Sequence, residues 1–429
     1  MRKKRTGRSL SPAIGVWAVG LACVFIAGIW FWPRSRSGSE WSIRKPSVTK
    51  PGLAHALGML KRYESYPSEV DLEVDGKLQR VVVQYAFEPQ LQEQMETLFK
   101  TYHPDFGAFV AIDPATGRVL SMVSYAEDQQ LADNLALRAT FPSASVFKMV
   151  TAAAAISEKS YSAETVIPFD GRNHTLYRRN VLKTAHNRWT RHITLREAFA
   201  HSVNTVFAKI GALVVGPEAL ARYAERFGYN RPIPADVPVQ EGRAPIENDD
   251  VWSVAETASG YTRETTMSPL QGAMMAATIA NDGQAMEPFA VQSVHALDGS
   301  PLYQAVPTGA GQAVPPAVAE EVRKLMRETV TGGTSRRSFR GFFRGDLAHL
   351  DVGGKTGSLT GQDPVGKYDW FVGYASDGKQ RIAVAALTVH RKFWRVKSSH
   401  LARVAFENHF RGQWKESIQE ARLSPAVVR

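Results

Sequence analysis

The 429-residue chain predicts an α/β (α+β) protein built on an antiparallel sheet that carries helices on its faces. Strand-like runs lie at both ends of the globular region, near 69–123 and again near 349–389, while helical segments and loops alternate between them up to about residue 290. A hydrophobic content of 44% is enough to bury one large domain or two modest ones.

Taken in order, the elements begin with a basic cluster, Arg2, Lys3, Lys4, Arg5 and Arg8. An uncharged apolar stretch, Leu10 to Trp32, follows and is about long enough to cross a bilayer. A cleaved signal peptide usually has a shorter apolar core ending in small residues, whereas Trp30, Phe31 and Trp32 suit an interfacial anchor. The expected layout is a cytoplasmic tail over 1–9, one transmembrane helix over 10–32, a tether over 33–67, a catalytic domain over 68–415 and a tail over 416–429. The tether is rich in Ser, Arg, Lys and Pro, with room for a helix near 53–62. Asp75-Gly76 between two alternating runs predicts a hairpin. Pro89 opens a helix through Leu98, and Asp113 to Gly117 turns between two strands. A helix over 205–214, strands near 349–356, 368–374 and 381–389, and a last helix over 400–410 complete the reading.

Three short motifs carry the chemistry: Ser145-Val146-Phe147-Lys148, Ser202-Val203-Asn204 and Lys355-Thr356-Gly357. A serine hydroxyl is a poor nucleophile near neutral pH, and a lysine one helical turn later sets an amine on the same face to act as base. That lysine must be uncharged, and burial together with a second cation, Lys355, would lower its pKa. Ser-x-x-Lys alone is weak, since it recurs at Ser42, Ser47 and Ser376. What distinguishes Ser145 is Phe141-Pro142 before it and the apolar run Met149 to Ile156 after it, a turn opening a buried helix. Thr194 and Glu197 have capping-box spacing, so a short helix delivers Ser202 at its end. For Ser202 and Asn204 the bland alternative is a plain helix junction, where both residue types are favoured. Gly354-Lys355-Thr356 lacks the earlier glycine of a phosphate-binding loop, because position 349 is His349. No nucleotide, zinc or other cofactor motif stands in the chain, and none is expected.

From about residue 80 to 410 the chain resembles the transpeptidase domain of penicillin-binding proteins. The likeness rests on the three motifs, on Phe106 to Val123, and on Ser268-Pro269-Leu270-Gln271, Ile279 to Gly283 and Gly332-Gly333-Thr334. The third motif usually continues with Thr, and here Ser358 keeps the hydroxyl. The resemblance implies the transpeptidase and β-lactamase-like fold, an antiparallel sheet between helices beside an all-helical subdomain. It implies that Ser145 attacks the carbonyl between two terminal D-alanines, Lys148 accepts its proton and Ser202 relays a proton to the leaving amine. Asn204 would hold the substrate amide and orient Lys148. Lys355 and Thr356, with Gly357 beside them, would grip the terminal carboxylate, and the N–H groups of Ser145 and Ser358 would form the oxyanion hole.

The resulting expectation is a peptidoglycan D,D-transpeptidase of the inner membrane, with its catalytic domain extracytoplasmic, that β-lactams acylate. A D,D-carboxypeptidase or endopeptidase is the close alternative. A β-lactamase-like hydrolase is less favoured, because no Leu-Asn pair marks a deacylating glutamate and Glu241 and Glu247 read as loop charges. A membrane-tethered β-lactam or peptidoglycan sensor, or a scaffold, stays open as a non-enzymatic reading. Residues 34–80 are short for the pedestal usual in monofunctional members, and no sequence resembling a glycosyltransferase domain precedes the transpeptidase region, a departure that leaves the physiological role open; a glycosyltransferase or a division or elongation assembly stays open as a partner. Net charge is +11, with one local concentration at Arg336, Arg337, Arg340 and Arg344. An exported chain does not meet nucleic acid, so anionic lipid or wall polymer suits that charge, against a merely solvated basic face. Cys23, the one cysteine, lies inside the apolar span, so no intramolecular disulfide can form.

Overall fold

The computed structural model describes residues 48–60, 66–128, 134–182, 188–246 and 250–411. The apolar span 10–32, the basic tail and the last 18 residues therefore lie outside the described residues. Among the described residues no helix is long and apolar enough to cross a membrane.

A five-stranded sheet forms the centre, antiparallel throughout, in the order Asp351–Gln362, Val365–Ser376, Arg381–His390, Phe106–Ile112, Val119–Ala126. Both faces are covered, which is why its inner strands read as nearly continuous apolar runs rather than alternating ones. Along Arg381–His390, Ala383, Ala385 and Leu387 point into one core with Trp370, Val372 and Met275. Val384 and Ala386 point into the other with Leu98, Phe371 and Phe406. Helix Pro269–Ala280 packs on the first face, and helices Pro89–Tyr102 and Ser398–Arg411 on the second. The edge strand Asp351–Gln362 lies against helix Pro316–Thr331. It runs six residues past the expected end at 356, because Leu359 to Gln362 go on pairing with Tyr368 to Val365.

The helical part surrounds Lys148–Lys159, whose residues Lys148 to Ile156 are all buried. Its alanines let helices Pro217–Arg226 and Val251–Ser259 approach closely. The helix expected over 205–214 is divided: α-helical over Asn204–Lys209, wider-wound over Ile210–Val215, and stopped by Gly216 and Pro217.

At the N-terminal side, Glu69–Val74 and Lys77–Tyr85 form the expected hairpin, with Asp75 and Gly76 both at positive φ, as a type I′ turn requires. This hairpin pairs through Lys77–Tyr85 with Val291–Ala296, and Pro301–Gln304 completes a second sheet.

One expectation is corrected here. The segment 33–67 was expected to be a tether, yet its described part is folded onto the domain. Thr49 caps helix Lys50–Gly58 by accepting from the Gly52 N–H, and Leu53 and Leu57 are fully buried in the same core as Val70 and Val81. Lys50 also donates to Glu287 at 2.7 Å. Two leucines four residues apart make a narrow stripe that only the surrounding domain turns into a packed helix. Leu53→Ala is expected to destabilise the protein by about 2–5 kcal/mol, the usual cost of emptying a closed leucine site. A shift in denaturation midpoint worth less than about 1 kcal/mol would show this helix to be peripheral.

Candidate active site

The nucleophile turn is assembled from several fastenings. Ser145 lies in a 3-10 turn, Ala144–Phe147, that leads into helix Lys148–Lys159. Phe141 and Pro142 pair with Met267 and Thr266, and the Ser143 N–H donates to the Thr265 carbonyl at 2.8 Å. The buried Trp370 indole N–H donates to the Pro142 carbonyl at 2.9 Å. Since Trp370 is the register partner of Gly357, this bond fixes the edge strand to the nucleophile turn. Gly260, at φ +66, packs so closely beneath the turn that a Cβ there would collide with the Ala144 carbonyl.

Lys148 is fully buried. Its Nζ lies 2.8 Å from Ser145 Oγ and 2.9 Å from Asn204 Oδ1, and donates as well to the Ser259 carbonyl. Two fixed acceptors hold two amine hydrogens, so in the neutral form the lone pair faces the Ser145 hydroxyl. Burial pushes the Lys148 pKa well below the ordinary lysine value, and the charge of Lys355 pushes it further the same way. No described carboxylate comes within 4 Å of either lysine. The Phe207 ring lies 5.7 Å from Lys148 Nζ and the Phe199 ring 5.5 Å from Lys355 Nζ, a weaker form of support than a counter-ion.

Ser202 closes helix Leu195–Ala200, which starts at the capping box of Thr194 and Glu197. The Ser202 N–H donates to Phe199 O at 3.1 Å and the Val203 N–H to Ala198 O at 2.8 Å, the bond pair of a Schellman ending. Its left-handed position, normally Gly or Asn, is held by Ser202 at φ 54. The hydroxyl is thereby presented to Lys355, whose Nζ donates to it at 3.0 Å and to the Thr356 carbonyl at 2.8 Å. Burial lowers the Lys355 pKa to about 7. Asn204 is set by its own backbone N–H donating to Asn173 O at 2.8 Å and its Nδ2 donating to His174 O at 3.1 Å. The Thr356 and Thr334 hydroxyls are 2.5 Å apart, and Thr334 is brought there by its N–H donating to Ala200 O at 3.1 Å.

All eight residues expected at the site are thus placed around one cleft of about 830 Å³, whose surface includes Ser145, Ser202, Asn204, Thr356, Gly357 and Ser358. Lys148 and Lys355 lie beneath that surface, reaching Ser145 and Ser202 by hydrogen bonds. Several contributors had no sequence signal. The Ser259 carbonyl and Gly260 act through backbone, and Phe199 and Phe207 read as ordinary core residues. His174 stands at the rim, its pKa held below the ordinary histidine value by partial desolvation and by the two lysines. Of the two acids singled out, Glu241 is an exposed loop residue and Glu247 lies outside the described residues. Glu256 and Glu264 instead line a shallower neighbouring cleft. Asp369 is the carboxylate of the main cleft, and it already accepts the Ser398 N–H at 2.7 Å.

A fold with this sheet order and a serine, two lysines and a Ser-x-Asn turn around one cleft defines a class of active-site-serine proteins. The model of the penicillin-binding protein transpeptidase domain matches residues 107–409, and the chain belongs to that family. The peptidoglycan D,D-transpeptidase PbpA of Mycolicibacterium smegmatis is 30% identical over 321 residues, 66% of this chain and 62% of that protein. The chain thus spans under two thirds of that relative's length. Among solved structures, penicillin-binding protein A of M. tuberculosis, as its imipenem acyl-enzyme complex, is 26% identical with a TM-score of 0.60, covering 76% of this chain and 79% of that one. The D,D-transpeptidase domain of a peptidoglycan glycosyltransferase from Eggerthella lenta is 26% identical with a TM-score of 0.63, over 78% and 84% of the two chains.

Replacing Ser202 with Gly separates backbone from hydroxyl. Relief of the left-handed strain is expected to leave the melting temperature unchanged or slightly higher, while loss of the hydroxyl lowers acylation by about 100-fold, in the range of a lost proton-transfer group. A clear fall in melting temperature would contradict the strain argument.

Proposed function

We propose that the protein is a peptidoglycan D,D-transpeptidase that forms an acyl-enzyme on Ser145 and passes the acyl group to an amine of a second stem peptide. The observation that carries this reading is the buried Lys148 amine, biased toward its neutral form and 2.8 Å from Ser145 Oγ. In the first step the Ser145 proton passes to Lys148 Nζ as Oγ bonds to the carbonyl carbon between two terminal D-alanines. The oxyanion is held by the N–H groups of Ser145 and Ser358, and the substrate amide by Asn204. Collapse breaks the peptide bond, and the proton taken by Lys148 passes to the leaving amine by way of the Ser202 hydroxyl, which Lys355 orients by donating to it at 3.0 Å. Lys355 and Thr356 bind the terminal carboxylate, positioning the scissile bond. The acceptor amine then repeats the sequence in reverse.

A β-lactam enters the same course and stops at the acyl-enzyme, because the one carboxylate lining the cleft, Asp369, is held by Ser398 and has no water-activating contact with Ser145 among the described residues. The reading also anchors the chain by residues 10–32 with the basic tail inside, so that the domain meets peptidoglycan outside the cytoplasmic membrane. A glycosyltransferase, or a division or elongation assembly, is its proposed source of glycan strands.

Fluorescent penicillin should label the protein, and label persisting in Ser145→Ala would refute the nucleophile assignment. Incubation with a stem-peptide donor and an acceptor amine should give the cross-linked mass; hydrolysed donor alone would make the protein a carboxypeptidase. Lys148→Arg, permanently charged, should acylate as poorly as Lys148→Ala. Near-normal acylation with Arg would remove the proton-accepting role.

The two lysines also set a pH profile. Lys148 works neutral, so acylation falls as pH drops through its lowered pKa; Lys355 works charged, so acylation by a carboxylate-bearing substrate falls as pH rises past about 7. Lys355→Arg keeps the cation at every pH and should flatten the alkaline limb while retaining part of the rate. An unchanged alkaline limb in that variant would assign it to another group.

A further inference from the structure

Beyond Thr356 and Ser358 the cleft continues over the sheet edge into a space bounded by the loop that joins strand Arg381–His390 to helix Ser398–Arg411. Four cations line this extension, Arg337, Arg395, Lys397 and Arg403, against one carboxylate, Asp369. We propose that the extension is a second anion site, which takes a carboxylate carried on the acyl side of the substrate, separate from the terminal carboxylate at Lys355 and Thr356. The inference rests on the acyl-transfer reading above and names a further feature of the substrate class.

The charge balance selects the ligand. Asp369 is already engaged, accepting the Ser398 N–H at 2.7 Å with Lys397 Nζ at 3.4 Å. Arg403 is paired with Glu407 at 2.8 Å. Arg395, exposed at the cleft, forms no ion pair with any described residue. The carboxylate that feels its charge, Glu127, is already engaged by His103 at 3.2 Å and by the Tyr125 hydroxyl. Burial and Arg403 lower the His400 pKa to about 4, so that ring is neutral near pH 7, and it faces the Tyr102 hydroxyl at 3.0 Å. Arg337, one member of the arginine concentration seen in the sequence, lines the same cleft.

Position on the substrate follows from register. Asp369 is the strand partner of Ser358, so the loop holding Lys397 and Arg395 sits level with the oxyanion position, one step along the edge strand from the Lys355 and Thr356 pair. A group reaching it hangs from the acyl donor rather than from the departing D-alanine.

The loop is also built, not loose. His390 is buried, and its Nε2 lies 3.0 Å from Val396 O while its Nδ1 accepts the Arg395 N–H at 3.4 Å, a pattern that one neutral tautomer satisfies. Trp394 lies tilted against His390 with ring centres 5.0 Å apart, and Lys397 Nζ lies 3.4 Å from the Trp394 ring centre. The backbone carrying Arg395 is therefore anchored to the strand.

Benzylpenicillin and carbenicillin test this, since they differ only by a carboxylate on the side-chain carbon next to the amide carbonyl. The measured quantity is the ratio of their second-order acylation rates on the full chain. Arg395→Gln should lower the carbenicillin-to-benzylpenicillin ratio about three- to fivefold, as expected for a partly exposed ion pair, and Arg337→Gln with it should lower the ratio further. Lys392→Gln, on the same loop but outside the cleft, should leave the ratio unchanged, and added salt should lower the wild-type ratio more than that of the variants. A ratio constant within twofold in both arginine variants, with benzylpenicillin acylation intact, overturns the anion site alone. Absence of benzylpenicillin acylation in the wild type overturns the acyl-transfer reading and this one with it.

Discussion

Two lysine amines buried side by side, with no carboxylate beside either among the described residues, are the constraint from which the rest of the site follows. An ammonium group taken out of water loses several kcal/mol of hydration, and a second positive charge close by raises that cost. An ordinary protein would supply an acid. Here the amines are met by carbonyl and hydroxyl oxygens and by the faces of Phe199 and Phe207. Such partners satisfy hydrogen bonds without stabilising the charge as strongly as a carboxylate would. The consequence is a base close to its neutral form beside a cation that holds an anion, two roles separated by environment although the side chains are the same.

That arrangement works only if distant segments arrive in register. Lys148 comes from a buried helix, Asn204 from a helix junction, and Lys355 from the edge of the sheet. The edge strand reaches the nucleophile turn through the Trp370 bond to Pro142, and the Ser202 turn reaches the edge strand through Ala200, Thr334 and Thr356. One link runs from a fully buried indole to backbone, one from backbone to backbone and one between two threonine hydroxyls, so little positional freedom is left. The positive φ values at Ala144 and Ser202, two non-glycine residues beside the chemistry, are the local cost, on the order of 1–3 kcal/mol each.

Much of this was legible in the residues, and for definite reasons. Asp75-Gly76, the capping box at Thr194 and Glu197, and the apolar run after Lys148 are local signals with local causes, and they appear as a hairpin, a helix start and a buried helix. The spacing of Ser145 and Lys148 already put both on one turn. A helix near 53–62 was legible and appears as Lys50–Gly58, but its docking was not, because Leu53 and Leu57 are its only buried residues and their burial depends on strands elsewhere in the chain. The Ser259 carbonyl and Gly260 were hidden for another reason: a backbone group has no letter in the sequence. At Ser202 the local rule fails outright, since Gly or Asn would suit the turn better, and the hydroxyl explains the exception.

The bond from Trp370 to Pro142 has an optical consequence. Its indole is fully buried and donates to a carbonyl three residues before the nucleophile, so any displacement of the Ser145 turn alters the hydrogen bond on that chromophore. Indole emission shifts in wavelength and yield with the strength and polarity of what it donates to. The protein therefore carries, within its own core, an intrinsic fluorophore that senses the state of its nucleophile without an added dye.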